Sequence, residues 1–531
     1  YDKQIKDLEK EQKEIWAKSQ SLERQNEKIE KGRDKQKEKF ERKHSELLTL
    51  SPEDSERIRT HVKEYQKSIR YDPDAKFKQG TVGGALGNMQ EAIIEANKAR
   101  TESLSGSIEA QKNWQNTDLK FKLTCLEQLS EVLYDSKREH SSLMAEEMGK
   151  PFKQGISEIE KCIWLCDYYI ENSKKYLEDK KIKTDGQKSF VTFRPLGLIL
   201  GIMPWNFPFW QVFRFAVPSI IAGNGAILKH ASNVQGCAFS IETSFAKSGF
   251  PKHLFQNISI SGKNVSKVIK NSKISAVTLT GSTPAGRSVA EIAGKELKKS
   301  VLELGGSDPY VILDDADIEK SVDSCISGRI LNTGQSCISA KRLIVVDSLH
   351  DQFLSSLENK LSKKIMGDPK DNVDIGPMVS LEAREEVHQQ VLRSIDEGAN
   401  LILGGEIPKI PGAFYPITLL SNVKPGVVAF DEEIFGPVFA VIKARDENHA
   451  IDLANDSPFG LGAAVFTKNI NKGKEIAKNR LNAGLCFVND FVKSDPRLPF
   501  GGIKQSGYGR ELSIYGMMEF VNIKTIVIDD D

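Results

Sequence analysis

"LGLILGIMPWNFPFWQVFR", Leu196 to Arg214, passes from an apolar β-type run into a loop braced by two prolines and out into a helical segment. Four similar runs follow: "GAILKHA" from Gly225, "NISIS" from Asn257, "SAVTLTG" from Ser275 and "YVILDDA" from Tyr310, each spaced from the next by residues of helical character. Strands separated by helices predict a mainly parallel sheet with crossover connections, hence an α/β fold. Ligands of such sheets lie beyond the carboxyl ends of the strands, so the residues closing each run are where chemistry is sought.

Upstream, Trp114, Leu119, Leu123, Leu126, Leu129 and Leu133 recur mostly three or four apart, which predicts helix with one buried face. The first 50 residues differ: about half are charged, and Leu8, Ile15, Leu22 and Ile29 stand seven apart with polar Gln12, Ser19 and Asn26 between them. That half-complete seam reads either as a solvated helix or as one that binds a partner or pairs with itself. "SPED" at Ser51 predicts a second helix start, and the turn-rich Tyr71 to Gly87 reads as a linker.

At 531 residues the chain exceeds what one core supports and predicts two or more domains. With 74 basic against 73 acidic residues, the net charge of +1 provides no field for nucleic acid or an acidic membrane. No apolar run reaches the roughly 18 residues of a membrane span. The charged amino end does not read as a signal peptide, although Tyr1 rather than Met leaves a removed leader open. The 7 cysteines and 8 histidines are scattered, without Cys-x-x-Cys. That pattern predicts a reducing, cytoplasmic compartment and no structural metal.

Six strand-end or loop residues carry candidate chemistry. Asn206, between Pro204 and Pro208, is either a turn residue satisfying local backbone or a fixed amide that donates to an oxyanion. Lys229 is either solvated or a ligand for ribose or phosphate. Gly281 and Ser282 open a helix whose free amides suit a phosphate, though the pattern is neither G-x-G-x-x-G nor a P-loop. Glu303, in apolar surroundings before Gly305 and Gly306, is either salt-bridged or a general base with a raised pKa. Cys337, 34 residues later in "NTGQSCISAKR", is either an inert buried thiol or a nucleophile.

The ordered motifs "PWNFP", "LKHAS", "LTGS", "LELGG", "NTGQSC", "EEIFGPV" and "PFGGIKQSGYGRE" resemble the aldehyde dehydrogenase superfamily from about Ser103 to the C-terminus. Several stretches are most similar to a bacterial branch of succinate semialdehyde dehydrogenases that use NAD or NADP. The resemblance implies a charged helical extension and linker over 1–87, then a Rossmann-type cofactor domain over 88–303, interrupted by oligomerisation strands at 177–195. An α/β catalytic domain over 304–505 and a segment over 506–531 that completes the oligomerisation sheet would follow. Family members usually begin with a β-rich segment that residues 1–87 replace.

By the same resemblance, Cys337 attacks the aldehyde, Asn206 and the Cys337 N–H hold the oxyanion, and Glu303 activates the hydrolytic water. Met203, Pro204, Trp205, Lys229, Ser232, Gly262, Gly281, Ser282, Leu304, Glu433 and Phe435 fall at cofactor positions. Ser232 stands where NAD-selective members often carry Glu, so a 2′-phosphate should be tolerated. Arg214 matches an arginine that binds the substrate carboxylate; the second such arginine is replaced by Leu331, for which Arg329 and Ser494 are candidate substitutes. The implied activity is oxidation of succinate semialdehyde by a homo-oligomer, a dimer or tetramer. Another small aliphatic aldehyde, or a scaffold acting through the amino-terminal helix, is the alternative.

Overall fold

The computed structural model describes residues 104–529, and the amino-terminal heptads, the "SPED" helix and the linker lie outside them. Three helices open the described chain: Leu104–Trp114, Leu119–Met148 and Phe152–Leu177. The continuous leucine periodicity is thus cut at two places. At the second, Gly149 ends its helix in the left-handed region (φ +77°), where a Cβ would lie 2.8 Å from the Pro377 side chain. Trp114 is buried and donates its indole N–H to the Ile220 carbonyl at 2.7 Å, and Leu126, Leu129 and Leu133 enter the same core. Truncating such a tryptophan to alanine typically costs about 3–5 kcal/mol.

The strands form three sheets rather than one. The first takes β3 (Leu198–Met203), β4 (Gly225–His230), β5 (Phe255–Asn257), β6 (Ile274–Thr280), β7 (Lys299–Glu303) and β15 (Gly507–Tyr508), in the order β15-β7-β6-β3-β4-β5. All its pairs are parallel except β15 with β7. Their carboxyl ends therefore emerge on one edge. The "NISIS" run lies largely past its strand, which stops at Asn257.

"YVILDDA" belongs to a second sheet, separated from the first by Gly305 and Gly306. It holds β8 (Asp308–Ile312), β9 (Ala340–Val346), β10 (Asn400–Leu403), β11 (Thr418–Val423), β12 (Val438–Ala444), β13 (Gly462–Phe466) and β14 (Leu485–Val488). Their order is β10-β11-β12-β9-β8-β13-β14, parallel apart from the β10 edge. The third sheet pairs β1 (Lys180–Ile182), β2 (Lys188–Pro195) and β16 (Val521–Ile528) antiparallel, with eight register pairs between β2 and β16. The segment after residue 505 therefore serves two sheets, through β15 and β16. Among the described residues no helix is long and apolar enough to cross a membrane.

Candidate active site

Three segments meet at Cys337: the loop after β3, the end of β7, and the turn before β9. In that turn Asn332 (φ +54°), Thr333 (φ +58°) and Gly334 (φ +74°) are consecutively left-handed, which costs of order 1–3 kcal/mol for each non-glycine residue. Only glycine fits at 334, because a Cβ there would come within 2.2 Å of the Gly436 carbonyl oxygen. The Asn332 amide donates to the Asn206 carbonyl at 2.8 Å and to the Gln335 carbonyl at 3.1 Å, tying the turn to the β3 loop. Strain held by cross-links of this kind fixes where Cys337 stands.

Asn206 is buried, with Nδ2 donating to the Gln335 carbonyl at 3.1 Å and Oδ1 accepting from Gln211 Nε2 at 3.0 Å. Its amide is oriented at both ends, and Nδ2 keeps a second proton to donate. The loop around it is braced by His230 at the end of β4. Ala231 N donates to His230 Nδ1 at 2.9 Å, so Nδ1 is the acceptor and Nε2–H donates to the Pro208 carbonyl at 2.9 Å. Burial holds this imidazole down to about 4, and it stays neutral.

Past the loop, the helix Trp210–Ile221 begins with the amides of Phe209 and Trp210 donating to Glu158 Oε1 at 2.9 and 3.0 Å. Glu158 is paired in turn with Lys150; both are buried, and the Lys150 ammonium lies 4.0 Å from the Phe207 ring.

Glu303 closes β7. Its carboxyl is buried, neither oxygen has a hydrogen-bond partner among the described residues, and Oε1 lies against Gly501, where a Cβ would come within 2.6 Å. Burial first, and then the charge of Glu511, push its pKa well above the usual carboxylate range, against the pull of Arg214 and Arg510. The segment after it packs on Cys337: a Cβ at Gly306 would be 2.8 Å from the Cys337 carbonyl oxygen.

Cys337 itself is half-buried, whereas Cys125, Cys162, Cys166, Cys237 and Cys325 are fully buried. Burial pushes its thiol up to about 12, opposed by the positive charges of Arg214 and Lys341. In the absence of ligand the thiol is protonated at neutral pH. Lys341 donates to the carbonyls of Ser336 (2.9 Å) and Cys337 (2.8 Å) and pairs with Glu433 at 3.2 Å. It stands in the quoted "NTGQSCISAKR" stretch, yet its role shows only once β9 turns it back toward the cysteine.

Arg214 lies close to both Cys337 and Glu303 electrostatically. It is not a free guanidinium: Nε pairs with Glu511 Oε2 at 2.7 Å, and the group lies over the Phe500 ring at 4.4 Å. Its buried Nη2 has no hydrogen-bond partner among the described residues. Glu511 was not singled out in the sequence; only the return of the chain after β15 brings it here.

Arg329 is not brought to the site. Its Nε donates to the Val438 carbonyl (2.6 Å), Nη1 to Ser339 Oγ (2.8 Å) and Nη2 to the Ile434 carbonyl (2.9 Å). The residue is fully buried, so the expectation that it replaces the missing arginine is corrected: its guanidinium joins the Cys337 turn to β12. Leu331 is 36% exposed. Ser494 Oγ accepts from Trp210 Nε1 at 3.1 Å and from Lys161 Nζ at 2.8 Å.

The remaining candidates lie at or past the carboxyl ends of the first sheet's strands, apart from Glu433 and Phe435, which precede β12 of the second. Met203 and Leu304 are buried, Pro204 and Trp205 half-buried, and Trp205 meets Phe435 edge to face at 5.9 Å. Ser232 and Gly262 are exposed, and a Cβ at Gly262 would meet nothing within 4 Å. Ser282 caps the helix Thr283–Lys295 by accepting from Ala285 N at 3.4 Å, while Gly281 N donates to the Glu303 carbonyl at 2.9 Å. Glu433 Oε1 accepts from Gly306 N at 3.1 Å. Lys229 is partly buried with no hydrogen bond or ion pair among the described residues, and burial lowers its pKa. A cation left unpartnered in this way fits a ligand rich in hydroxyl or phosphate oxygens.

The profile of the aldehyde dehydrogenase family matches residues 88–526. The chain belongs to the aldehyde dehydrogenase family. Among members of this family, the succinate semialdehyde dehydrogenase [NAD(P)+] of Escherichia coli K12 is 44% identical over 416 residues, covering 78% of this chain and 90% of that protein. The succinate-semialdehyde dehydrogenase [NADP(+)] of Deinococcus radiodurans is 41% identical over 419 residues, covering 79% and 88%. The crystal structure of succinic semialdehyde dehydrogenase from Streptococcus pyogenes in complex with NADP+ superimposes with a TM-score of 0.80 at 36% identity, over 82% of this chain and 96% of that one.

Proposed function

We propose that this aldehyde dehydrogenase oxidises succinate semialdehyde to succinate, with NAD or NADP as the hydride acceptor. The reading is carried by the convergence on a single site of a half-buried cysteine, an oriented amide, and a carboxyl and an arginine Nη2 that are unpartnered among the described residues. The relatives named for this substrate and for NAD(P) or NADP, each at 41% identity or more over most of their length, support it.

Cys337 Sγ adds to the aldehyde carbon, and its proton leaves toward the solvent side or Glu303. The oxyanion accepts hydrogen bonds from the second Nδ2–H of Asn206 and the Cys337 N–H; one such donor is typically worth about 10²–10³ in rate. A bound NAD or NADP would supply the hydride acceptor, and Cys337 would then carry the acyl group as a thioester. Glu303 then draws a proton from the water that hydrolyses it. Its raised pKa places the base form nearer the working pH than an exposed carboxylate would. Lys229, Ser232 and Ser282 would hold the adenosine and pyrophosphate side, and Glu433 the nicotinamide ribose, with Trp205 and Phe435 beside the ring. Exposed Ser232 places no negative charge against a 2′-phosphate.

Residues 88–303 and 304–505 would serve as cofactor and catalytic domains. The third sheet would form the contact between copies of a homo-oligomer, since its β16 edge leaves Ile523 and Val527 exposed.

Purified protein is tested with NAD or NADP and a set of aldehydes by following reduced cofactor. Succinate semialdehyde should be the preferred substrate, Cys337→Ser should remove turnover, and Glu303→Gln should retain one fast burst of reduced cofactor while steady-state turnover falls about 10²–10⁴-fold. Faster turnover of neutral aliphatic aldehydes would defeat the substrate assignment, and turnover surviving Cys337→Ser would defeat the mechanism.

A further inference from the structure

We propose that Lys161, on the helix Phe152–Leu177, is the second cation that holds the substrate carboxylate, taking the role of the arginine whose position is filled by Leu331. The proposal rests on the reading of the substrate as a short aldehyde with a carboxylate at its far end.

The Lys161 ammonium donates to Ser494 Oγ at 2.8 Å, and Ser494 accepts there from Trp210 Nε1 at 3.1 Å. The ammonium also lies 4.8 Å from the centre of the Trp210 ring. Trp210 and Arg214 are one turn apart on the same helix, so Lys161, Ser494 and Arg214 surround one region. Arg214 acts on both Lys161 and Cys337 electrostatically, which sets that region beside the nucleophile.

Lys161 is partly buried, and its hydrogen-bond partner, Ser494, is neutral. Among the described residues it makes no ion pair. Asp495, the nearest sequence neighbour of Ser494 with a negative charge, is taken by Arg497 at 2.7 Å, and Glu158 is taken by Lys150. A half-buried ammonium without a counter-ion is costly, and so is the unpartnered Nη2 of Arg214. One carboxylate entering between them satisfies both. Burial, with Arg214 adding, brings Lys161 down to about 8, so it is mostly cationic at neutral pH.

The contrast with Arg329 is instructive. That arginine is near Leu331 in sequence but has each of its three nitrogens on protein oxygens, whereas Lys161 is remote in sequence and keeps donors free.

The test compares kcat/KM for succinate semialdehyde and for butanal, which has the same chain length without the carboxylate, in the wild-type protein, Lys161→Gln, Lys161→Arg and Lys161→Gln with Leu331→Arg. The ratio of the two constants should fall about 10- to 100-fold in Lys161→Gln, the range for losing one hydrogen bond to a charged group, mainly through KM. Lys161→Arg should keep most of the ratio, and Leu331→Arg should restore part of it. An unchanged ratio in Lys161→Gln overturns the proposal, whether both constants hold or both fall together, since a purely structural lysine would affect both substrates alike. Failure of the underlying substrate reading shows separately, as a wild-type protein that prefers butanal.

Discussion

Replacing Lys150 with Met and Glu158 with Gln, singly and together, tests how the loop that carries Asn206 is held. The pair is buried, and Glu158 Oε1 accepts the two amides that start the helix after the loop. Lys150→Met leaves a carboxylate buried with only those two donors, a loss expected to cost about 3–5 kcal/mol. Glu158→Gln keeps an oxygen for the amides but strands the ammonium. Burial already pushes the Lys150 pKa down, so that ammonium escapes by losing its proton, and the cost should sit near the lower end, about 3 kcal/mol. The double variant carries no stranded charge and keeps the cap, so it should lie within about 1 kcal/mol of the wild type.

Urea unfolding followed by tryptophan fluorescence reads these differences as midpoint shifts. The rate should follow: Asn206 is three residues before Phe209, and a displacement of about 1 Å at a catalytic group typically costs about 10²-fold. A double variant as unstable as the two single losses added together would refute the reasoning, because the penalty would then lie in packing rather than in an unpaired charge.

Two further outcomes are expected. Gly334→Ala should cost at least about 1–2 kcal/mol from its left-handed φ alone and, by pressing on the Gly436 carbonyl, should move Cys337 and lower kcat; a thermal melt with steady-state rates checks this, and wild-type turnover would contradict it. His230 has a folded pKa near 4, below its ordinary 6.5, so its contribution of about 3 kcal/mol is present above pH 6.5 and is lost as pH falls toward 4. The stability-against-pH slope in that window should flatten in His230→Gln, and equal slopes in both proteins would count against the bracing role.

Much of this site lies in residues whose meaning is local. The prolines around Asn206, the glycines after Glu303 and the turn before Cys337 each announce an irregular backbone at a strand end. What holds them does not. His230, Glu158, Lys161 and Glu511 reach the site through contacts between residues 22 to 333 positions apart, and a periodic pattern reports only which face of a helix is buried. Arg329 and Lys161 show the cost of reading proximity along the chain as proximity in space. The split into two parallel sheets was likewise hidden, because β7 and β8 have the same apolar character and only the Gly305–Gly306 crossing separates them.

The chain's return after residue 505 has a consequence for biosynthesis. Gly507 pairs with Glu303 across β15 and β7, Glu511 neutralises Arg214, and β16 completes the ladder with β2. A nascent chain that has already made both parallel sheets still has a bare β7 edge and a buried arginine without its anion until these residues leave the ribosome. Glu303, the proposed general base, is therefore seated last, by contacts of high sequence separation, which are slow to form. Ribosome-bound intermediates should consequently be folded in large part but unable to turn over, because a thioester formed on Cys337 would still lack the seated carboxyl that hydrolyses it.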